Sequence, residues 1–343
     1  MSSFNYILIF LPQLLLIYIF NIMIKKNLFS FNVIDKPDNI RKLHHKPTPS
    51  MGGFFFLISL LYIFTLDIIN ISYFNTDYEF FLEGFKSKIS FYFIGLGFFL
   101  LGYLDDKLDI RSNFKIFLMI LLIYFSQLLD NTLIIETLYI SFLEKNIYLD
   151  KDLSIFFTTF AIVAFINAIN MYDGKNLQIG LYILIFLIFL IFKSNNLILT
   201  SLLVSLVFFL SQNYNGKIFI GNNGTHFLGY ILAFFLIKIY NSPDIFIFAD
   251  EIFILMMIPG IDMIRLFFKR TLKGKSPFIG DMDHIHHILS FKFKNLKIQI
   301  ILCSIIIISL FLYMFVNFYI SFIFTLISYI YLLNCQKNEP LRK

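Results

Sequence analysis

Apolar runs close to the length of a bilayer-spanning helix recur along almost the whole chain, more than one water-soluble core can bury. The first covers Phe4 to Ile24. Others cover Gly52–Ile69, Ile89–Leu104, Phe114–Leu129, Leu153–Ile169, Leu177–Phe192, Leu197–Leu210, Phe227–Ile239 and Ile252–Phe268. The stretch Ile298–Leu333 has room for two short spans joined near Asn317. This pattern predicts an all-α, polytopic integral membrane protein with about eleven transmembrane helices, or ten if the last stretch is a single span. One membrane-embedded domain covers residues 1–343. Composition agrees, with 58% hydrophobic and 15% charged residues. No basic residue precedes the first run, whereas Lys25 and Lys26 follow it, the reverse of a secretory signal, so an uncleaved span is expected. Cys303 and Cys335 give neither a metal-site spacing nor a disulfide framework.

The net charge of +6 informs only through its distribution. Lys25, Lys26, Lys36, Arg41, Lys42 and Lys46 follow the first span. Lys269, Arg270, Lys273, Lys275, Lys292, Lys294 and Lys297 follow the ninth. By the positive-inside rule both segments face the cytoplasm, which puts the N-terminus outside. Segments between spans two and three, four and five, and eight and nine are acidic, with Asp77, Glu79 and Glu83, then Asp130, Glu136 and Asp150, then Asp244, Asp250 and Glu251. Five polar motifs follow spans one, three, five, seven and nine, so parity sends all five to the cytoplasmic side, where nucleotides are found. Nucleic acid is not an expected partner.

Each motif carries its own chemistry. Asp105 and Asp106 close the third run, and an ionised carboxylate at helix-centre depth costs roughly 2.5–3.5 kcal/mol. At a membrane rim such a pair repels unless a cation or proton lies between them, and Mg²⁺ binds through one or two carboxylates plus phosphate oxygens. If that helix continues, Asp109 shares a face with Asp105. In the first motif, prolines at 37, 47 and 49 prevent a helix, and Arg41, Lys42 and His44 could neutralise phosphates or anchor the chain to headgroups. Asn167, Asn170 and Asp173, at i, i+3 and i+6, form one helical stripe whose amides need partners, in neighbouring helices or in a polar site. Gly221-Asn222-Asn223-Gly224-Thr225 allows a tight loop whose amides could approach an anion. His284, His286 and His287 lack the companions of a zinc site and suit a pyrophosphate better.

Together these segments resemble the polyprenyl-phosphate N-acetylhexosamine-1-phosphate transferases, glycosyltransferase family 4 (the MraY/WecA superfamily). The matching motifs are Asp35-x-Pro37-x-x-Arg41-Lys42-x-His44, Pro47-x-Pro49-x-x-Gly52-Gly53, Asp105-Asp106, Asn167-x-x-Asn170-x-x-Asp173-Gly174, Gly221-Asn222-x-Gly224-Thr225 and Asp281-x-x-His284-x-His286-His287-x-Leu289. The last looks like the WecA-type branch. The resemblance implies transfer of a hexosamine-1-phosphate from a UDP-sugar, UDP-GlcNAc by family weighting, to undecaprenyl phosphate, releasing UMP and starting a surface glycan at the bacterial inner membrane. It implies Asp105 and Asp106 as catalytic and Asn170 and Asn222 as ligands of Mg²⁺, with Mn²⁺ as an alternative. Arg41, Lys42, His44, Asn167, Asp173, His284, His286 and His287 would bind substrate, and a homodimer is compatible with this reading. Two departures stand out. Asn222 occupies the family's usual Asp position, and Asn176-Leu177 its Asp-Gly. Asn222 keeps open a weakened or silent homologue that binds lipid phosphate or a partner enzyme. A transporter fits less well, since transport sites lie near the midplane.

Overall fold

The computed structural model describes residues 3–26, 33–35, 37, 46–68, 82, 84–277 and 282–334. Each expected apolar run becomes one long helix. In chain order these are α1 (Ser3–Lys25), α2 (Gly53–Ile68), α3 (Gly84–Ile89) running into α4 (Gly95–Leu108), α5 (Ser112–Leu129), α6 (Lys151–Tyr172) and α7 (Gln178–Ser194). Then come α8 (Leu197–Tyr214), α9 (Gly221–Tyr240), α10 (Ala249–Leu272), the short α11 (Ile285–Ser290), α12 (Asn295–Phe315) and α13 (Phe318–Asn334). The last apolar stretch is therefore two helices. Asn317 starts the second by accepting the Ile320 N–H at 2.9 Å. Among the described residues, five helices are long and apolar enough to cross a membrane on their own, including Gly84–Leu108 and Asn295–Phe315, and four shorter ones are also apolar. This is an all-α, multi-pass membrane protein.

α9 runs through the centre. From Asn223 to Tyr240 every residue but Lys238 is buried, as expected of a helix apolar all round. α2, α4, α6 and α7 pack around it. Small residues let backbones approach where side chains would forbid it. A Cβ at Gly102 of α4 would lie 2.2 Å from the Asn222 carbonyl oxygen. Farther along, Phe98 stacks on Tyr230 at 4.8 Å.

Between α3 and α4 the chain makes a π-helical turn, Ser90–Ile94. Such turns loosen the regular carbonyl pairing. Here the Ser90 carbonyl accepts the Tyr230 hydroxyl at 2.9 Å, and Ser126 Oγ lies 2.8 Å from both Ser90 Oγ and the Tyr230 hydroxyl. A second polar tie joins the first helix to the bundle, where Gln13 Nε2 donates to Ser59 Oγ at 2.7 Å and to the Ser201 carbonyl at 2.9 Å.

The bundle has two unlike ends. At one, strands β1 (Ile34–Asp35) and β2 (Thr48–Pro49) pair antiparallel beside the polar motifs. At the other, β3 (Thr137–Leu138) and β4 (Ile147–Tyr148) form a small antiparallel hairpin over α9 and α10. The Ala249 N–H donates to the Tyr139 carbonyl at 2.7 Å, and the Ser141 N–H to Asp250 at 2.9 Å. Three of the described lysines at this end pair with carboxylates: Lys88–Asp67 at 2.6 Å, Lys193–Glu251 at 3.0 Å and Lys238–Asp130 at 2.6 Å.

Candidate active site

Backbone pairing zips the first motif to the fourth. The Phe219 N–H donates to the Pro49 carbonyl at 2.9 Å, the Gly52 N–H to Phe219 at 2.8 Å and the Gly53 N–H to Ile220 at 3.1 Å. Both glycines are needed. A Cβ at Gly52 would lie 2.6 Å from the Ile220 Cα, and one at Gly53 would lie 2.2 Å from Asn223 Oδ1.

Asn223, to which sequence reasoning gave no role, ties in the second motif. Its Nδ2 donates to the Ser50 carbonyl at 2.7 Å and to Asp106 Oδ2 at 2.6 Å, while its Oδ1 accepts the Gly53 N–H at 3.0 Å. Asp106 also accepts the N–H groups of Asn222 at 2.8 Å and Asn223 at 2.9 Å. The carboxylate thus meets the first amides of α9, where unpaired donors and the helix dipole favour an anion.

The acidic doublet is divided. Asp105 is buried and pairs with Lys115 of α5 at 2.8 Å, and it accepts the Ile110 N–H at 3.1 Å. It fastens the α4–α5 turn. The helix does not continue through Asp109, which turns left-handed at φ 49° and ends α4. Asp109 therefore shares no helical face with Asp105. An Asp tolerates this conformation better than most residues.

The third motif joins the fourth through the Thr225 hydroxyl, which donates to Asn170 Oδ1 at 2.8 Å. Asn167 lies a turn deeper and satisfies itself, donating to the Val163 carbonyl of its own helix at 2.8 Å and approaching Met119 Sδ at 3.9 Å. Asp173 leaves the helix as its C-terminal cap. The asparagine stripe thus spreads over three settings.

The third and fifth motifs are in contact. His286 lies so close to Gly174 that a Cβ there would come within 1.8 Å of its Nε2. Gln178 Nε2 lies 3.1 Å from His286 Nδ1. An amide nitrogen only donates, so Nδ1 accepts and the ring proton sits on Nε2. Asn295 Nδ2 donates to the Asn176 carbonyl at 3.0 Å. The His284 and His286 rings stack at 5.3 Å, and His287 lies 4.3 Å from His286.

Beneath this cluster lies a buried polar network. Asp262 Oδ2 meets His284 Nδ1 at 2.9 Å, and its Oδ1 accepts from Arg265 at 2.7 Å and from the Tyr329 hydroxyl at 2.7 Å. Arg265 also donates to the Asp283 carbonyl at 2.7 Å. These groups anchor the histidine segment to α10 and α13. A charged pair three residues apart inside the run Ile252–Phe268 was the available signal, since intramembrane charge marks a built site.

Electrostatics single out Asp173. Burial, then the nearby carboxylates of Asp106 and Asp35, push its carboxyl from 3.8 up to about 7. Burial lowers the Lys175 ammonium. Burial, then His287 and His284, hold the His286 imidazole well below its usual range, so it stays neutral. Among the described residues no three His, Cys, Asp or Glu side chains converge as metal ligands. Asn170 and Asn222 are both within this assembly, linked through Thr225, whose hydroxyl also lies 3.4 Å from the Asn222 carbonyl. Arg41, Lys42, His44 and Asp281 lie outside the described residues.

At the second departure, Leu177 keeps a backbone suited to glycine, with φ 70°. Its N–H donates to Asn213 Oδ1 at 2.6 Å, fixing that turn.

Residues 88–240 match the model of glycosyl transferase family 4, a stretch that holds the second, third and fourth motifs. The chain is 28% identical over 275 residues to an undecaprenyl-phosphate alpha-N-acetylglucosaminyl 1-phosphate transferase of Thermotoga maritima, covering 79% of this chain and 77% of the relative. It is 27% identical over 290 residues to a probable undecaprenyl-phosphate N-acetylglucosaminyl 1-phosphate transferase of Bacillus subtilis, covering 81% and 75%. A phospho-N-acetylmuramoyl-pentapeptide-transferase of Staphylococcus saprophyticus is 29% identical over 260 residues, covering 70% and 75%. With its motif segments gathered at one end of an all-helical membrane bundle, the chain is similar to these transferases over most of its length and to the glycosyl transferase family 4 model over residues 88–240.

Proposed function

We propose that the protein transfers an N-acetylhexosamine-1-phosphate, with N-acetylglucosamine as the first sugar to test, from a UDP-sugar to undecaprenyl phosphate. A phosphate oxygen of the lipid attacks the β-phosphorus, the bond from that phosphorus to the bridging oxygen breaks, and UMP leaves. The observation that carries this reading is the direct linkage of the motifs, through Ser50–Asn223–Asp106, Thr225–Asn170 and Gln178–His286. Homologues with those names and motifs in one aqueous-facing cluster support it. The motif end would face the cytoplasm, where UDP-sugars are made, across the inner membrane.

Catalysis of this type is positioning plus charge neutralisation. The raised Asp173 carboxyl, pressed by Asp106 and Asp35, marks a pocket short of positive charge. It fits Mg²⁺, or Mn²⁺, held by few protein oxygens and completed by substrate phosphates. Such an ion, when bound, neutralises diphosphate charge. Asn170, Asn222 and Asp173 are the residues that would hold it. Asp106 orients the first turn of α9 and so places Asn222. The neutral His286 presents a ring N–H toward the segment carrying Asp173, suited to a phosphate oxygen.

The test incubates purified protein with radiolabelled UDP-GlcNAc, Mg²⁺ and undecaprenyl phosphate. Label in the organic phase with UMP release is expected. Neither signal with several UDP-sugars would instead favour a silent homologue, the reading that Asn222 supports. Asn222→Asp restores a charged oxygen beside the diphosphate and should raise turnover about tenfold at limiting Mg²⁺, equivalent to about 1.4 kcal/mol. A flat response across the Mg²⁺ titration would remove Asn222 from the metal's ligands.

A further inference from the structure

We propose that a groove between α12 and α13 binds one acidic glycerophospholipid of the surrounding leaflet, its phosphate at Lys292 and Lys297 and one acyl chain along the groove. The groove holds about 430 Å³. Ligand-sized clefts run roughly 300–1,000 Å³, so it suits part of a lipid and not the whole molecule. Ile301 and Ile305 of α12 face Ile327 and Leu332 of α13 across it. Asn295 begins α12 at the motif end, so these walls lie within the nearer leaflet's hydrocarbon. Lys292 and Phe293 stand at its mouth.

The charge at that mouth is unmatched. Residues 284–334 contain no Asp or Glu, and Lys292, Lys294 and Lys297 make no ion pair among the described residues. Elsewhere at the motif end Lys115 and Lys269 do pair, with Asp105 and Asp283 at 2.8 Å each, so the three lysines beside the groove differ from their own neighbours. The Lys297 ammonium lies 4.8 Å and the Lys292 ammonium 5.9 Å from the Phe293 ring centre, so both charges sit beside the same ring at the mouth of the groove. An apolar slot ending in uncompensated cations complements an anionic headgroup on an acyl chain.

An occupant would also brace the candidate active site. The N–H groups of Lys292 and Phe293 donate to the Leu289 carbonyl at 3.0 and 2.9 Å, at the end of the helix that bears His286.

The test measures binding of a fluorescent phosphatidylglycerol to the full chain in phosphatidylcholine vesicles, beside a matched phosphatidylcholine probe. Saturable binding is expected for the acidic probe only. Each lysine near an anionic headgroup contributes roughly fivefold, so Lys292→Gln with Lys297→Gln should weaken binding about 25-fold. Ser328→Trp, which fills the groove and removes no charge, should weaken it comparably. Lys25→Gln with Lys26→Gln, basic residues outside the groove, should leave it unchanged. Full binding to Ser328→Trp would reduce the effect to general surface charge and overturn the proposal. Equal binding of phosphatidylcholine would overturn it too. So would preferential displacement by undecaprenyl phosphate, which would make the groove a substrate berth. The readout needs no transferase activity, so its failure and that of the proposed reaction are distinguishable.

Discussion

Leu177 holds a left-handed backbone at φ 70°, which costs a side-chain-bearing residue roughly 1–2 kcal/mol. Burial of its side chain offsets this strain. Truncation to Ala forfeits the burial and keeps the strain, whereas truncation to Gly forfeits the burial and relieves it. Leu177→Gly should therefore be more stable than Leu177→Ala by about 1 kcal/mol, the reverse of ordinary helix preference. Thermal unfolding in detergent decides this, and an Ala variant at least as stable as the Gly variant would show the turn is unstrained. Asp173 is the other residue under load. Its carboxyl moves from 3.8 to about 7 on folding, so the folded chain keeps a proton that the unfolded chain releases between those values. Stability from this group is intact below the lower value and drains as pH rises through the upper one. Asp173→Asn should stabilise the metal-free protein progressively from about pH 4 to about pH 8, by at most about 4 kcal/mol, while abolishing transfer. A stability gain that does not change with pH would sink this assignment. Mg²⁺ should narrow the gap.

At the scale of elements, α4 and α9 meet backbone to backbone at Gly102. Gly102→Ala would drive a methyl group toward the Asn222 carbonyl, now 2.2 Å from the ideal Cβ position, and pull the first turn of α9 off Asp106. We expect a loss of about 1–3 kcal/mol and at least a tenfold fall in transfer. Gly97→Ala on the same helix meets only the tip of Leu122 at 3.0 Å and should be tolerated. Equal effects of the two variants would mean that the close approach is not needed. Most elements were legible in the sequence, because each long apolar run had one helical solution. The helix ends were less so. Whether α4 continued through Asp109 was open in the sequence because nothing local reveals the left-handed cap, and the pairing of Asp105 with Lys115 was hidden because Lys115 lies in the next helix. Asn223 and Gln178 acquire their roles only from groups more than a hundred residues away.

For the whole molecule, parity of the motifs was legible because alternate spans must end on the same side. The structure gathers four described motif segments and the histidine cluster at one end. In a variant with Cys303 and Cys335 replaced by Ser, a membrane-impermeant thiol reagent should label Lys145→Cys in intact cells. It should label Lys273→Cys only after permeabilisation. The opposite pattern would turn the molecule over and with it the source of nucleotide substrate. The glycines at 52, 53, 102 and 174 leave less than 3 Å for any added Cβ, against the Ile220 backbone, the Asn223 amide, the Asn222 carbonyl and the His286 ring, so these close approaches admit no new atoms. Divergence of substrate preference must then be confined to positions where side chains are free to differ. Asn176, Leu177 and Asn222, where the sequence departs from the motif pattern it resembles, are the positions we expect to differ. Surveys of donor preference across natural variants would accordingly find their determinants there, and find the four glycines silent.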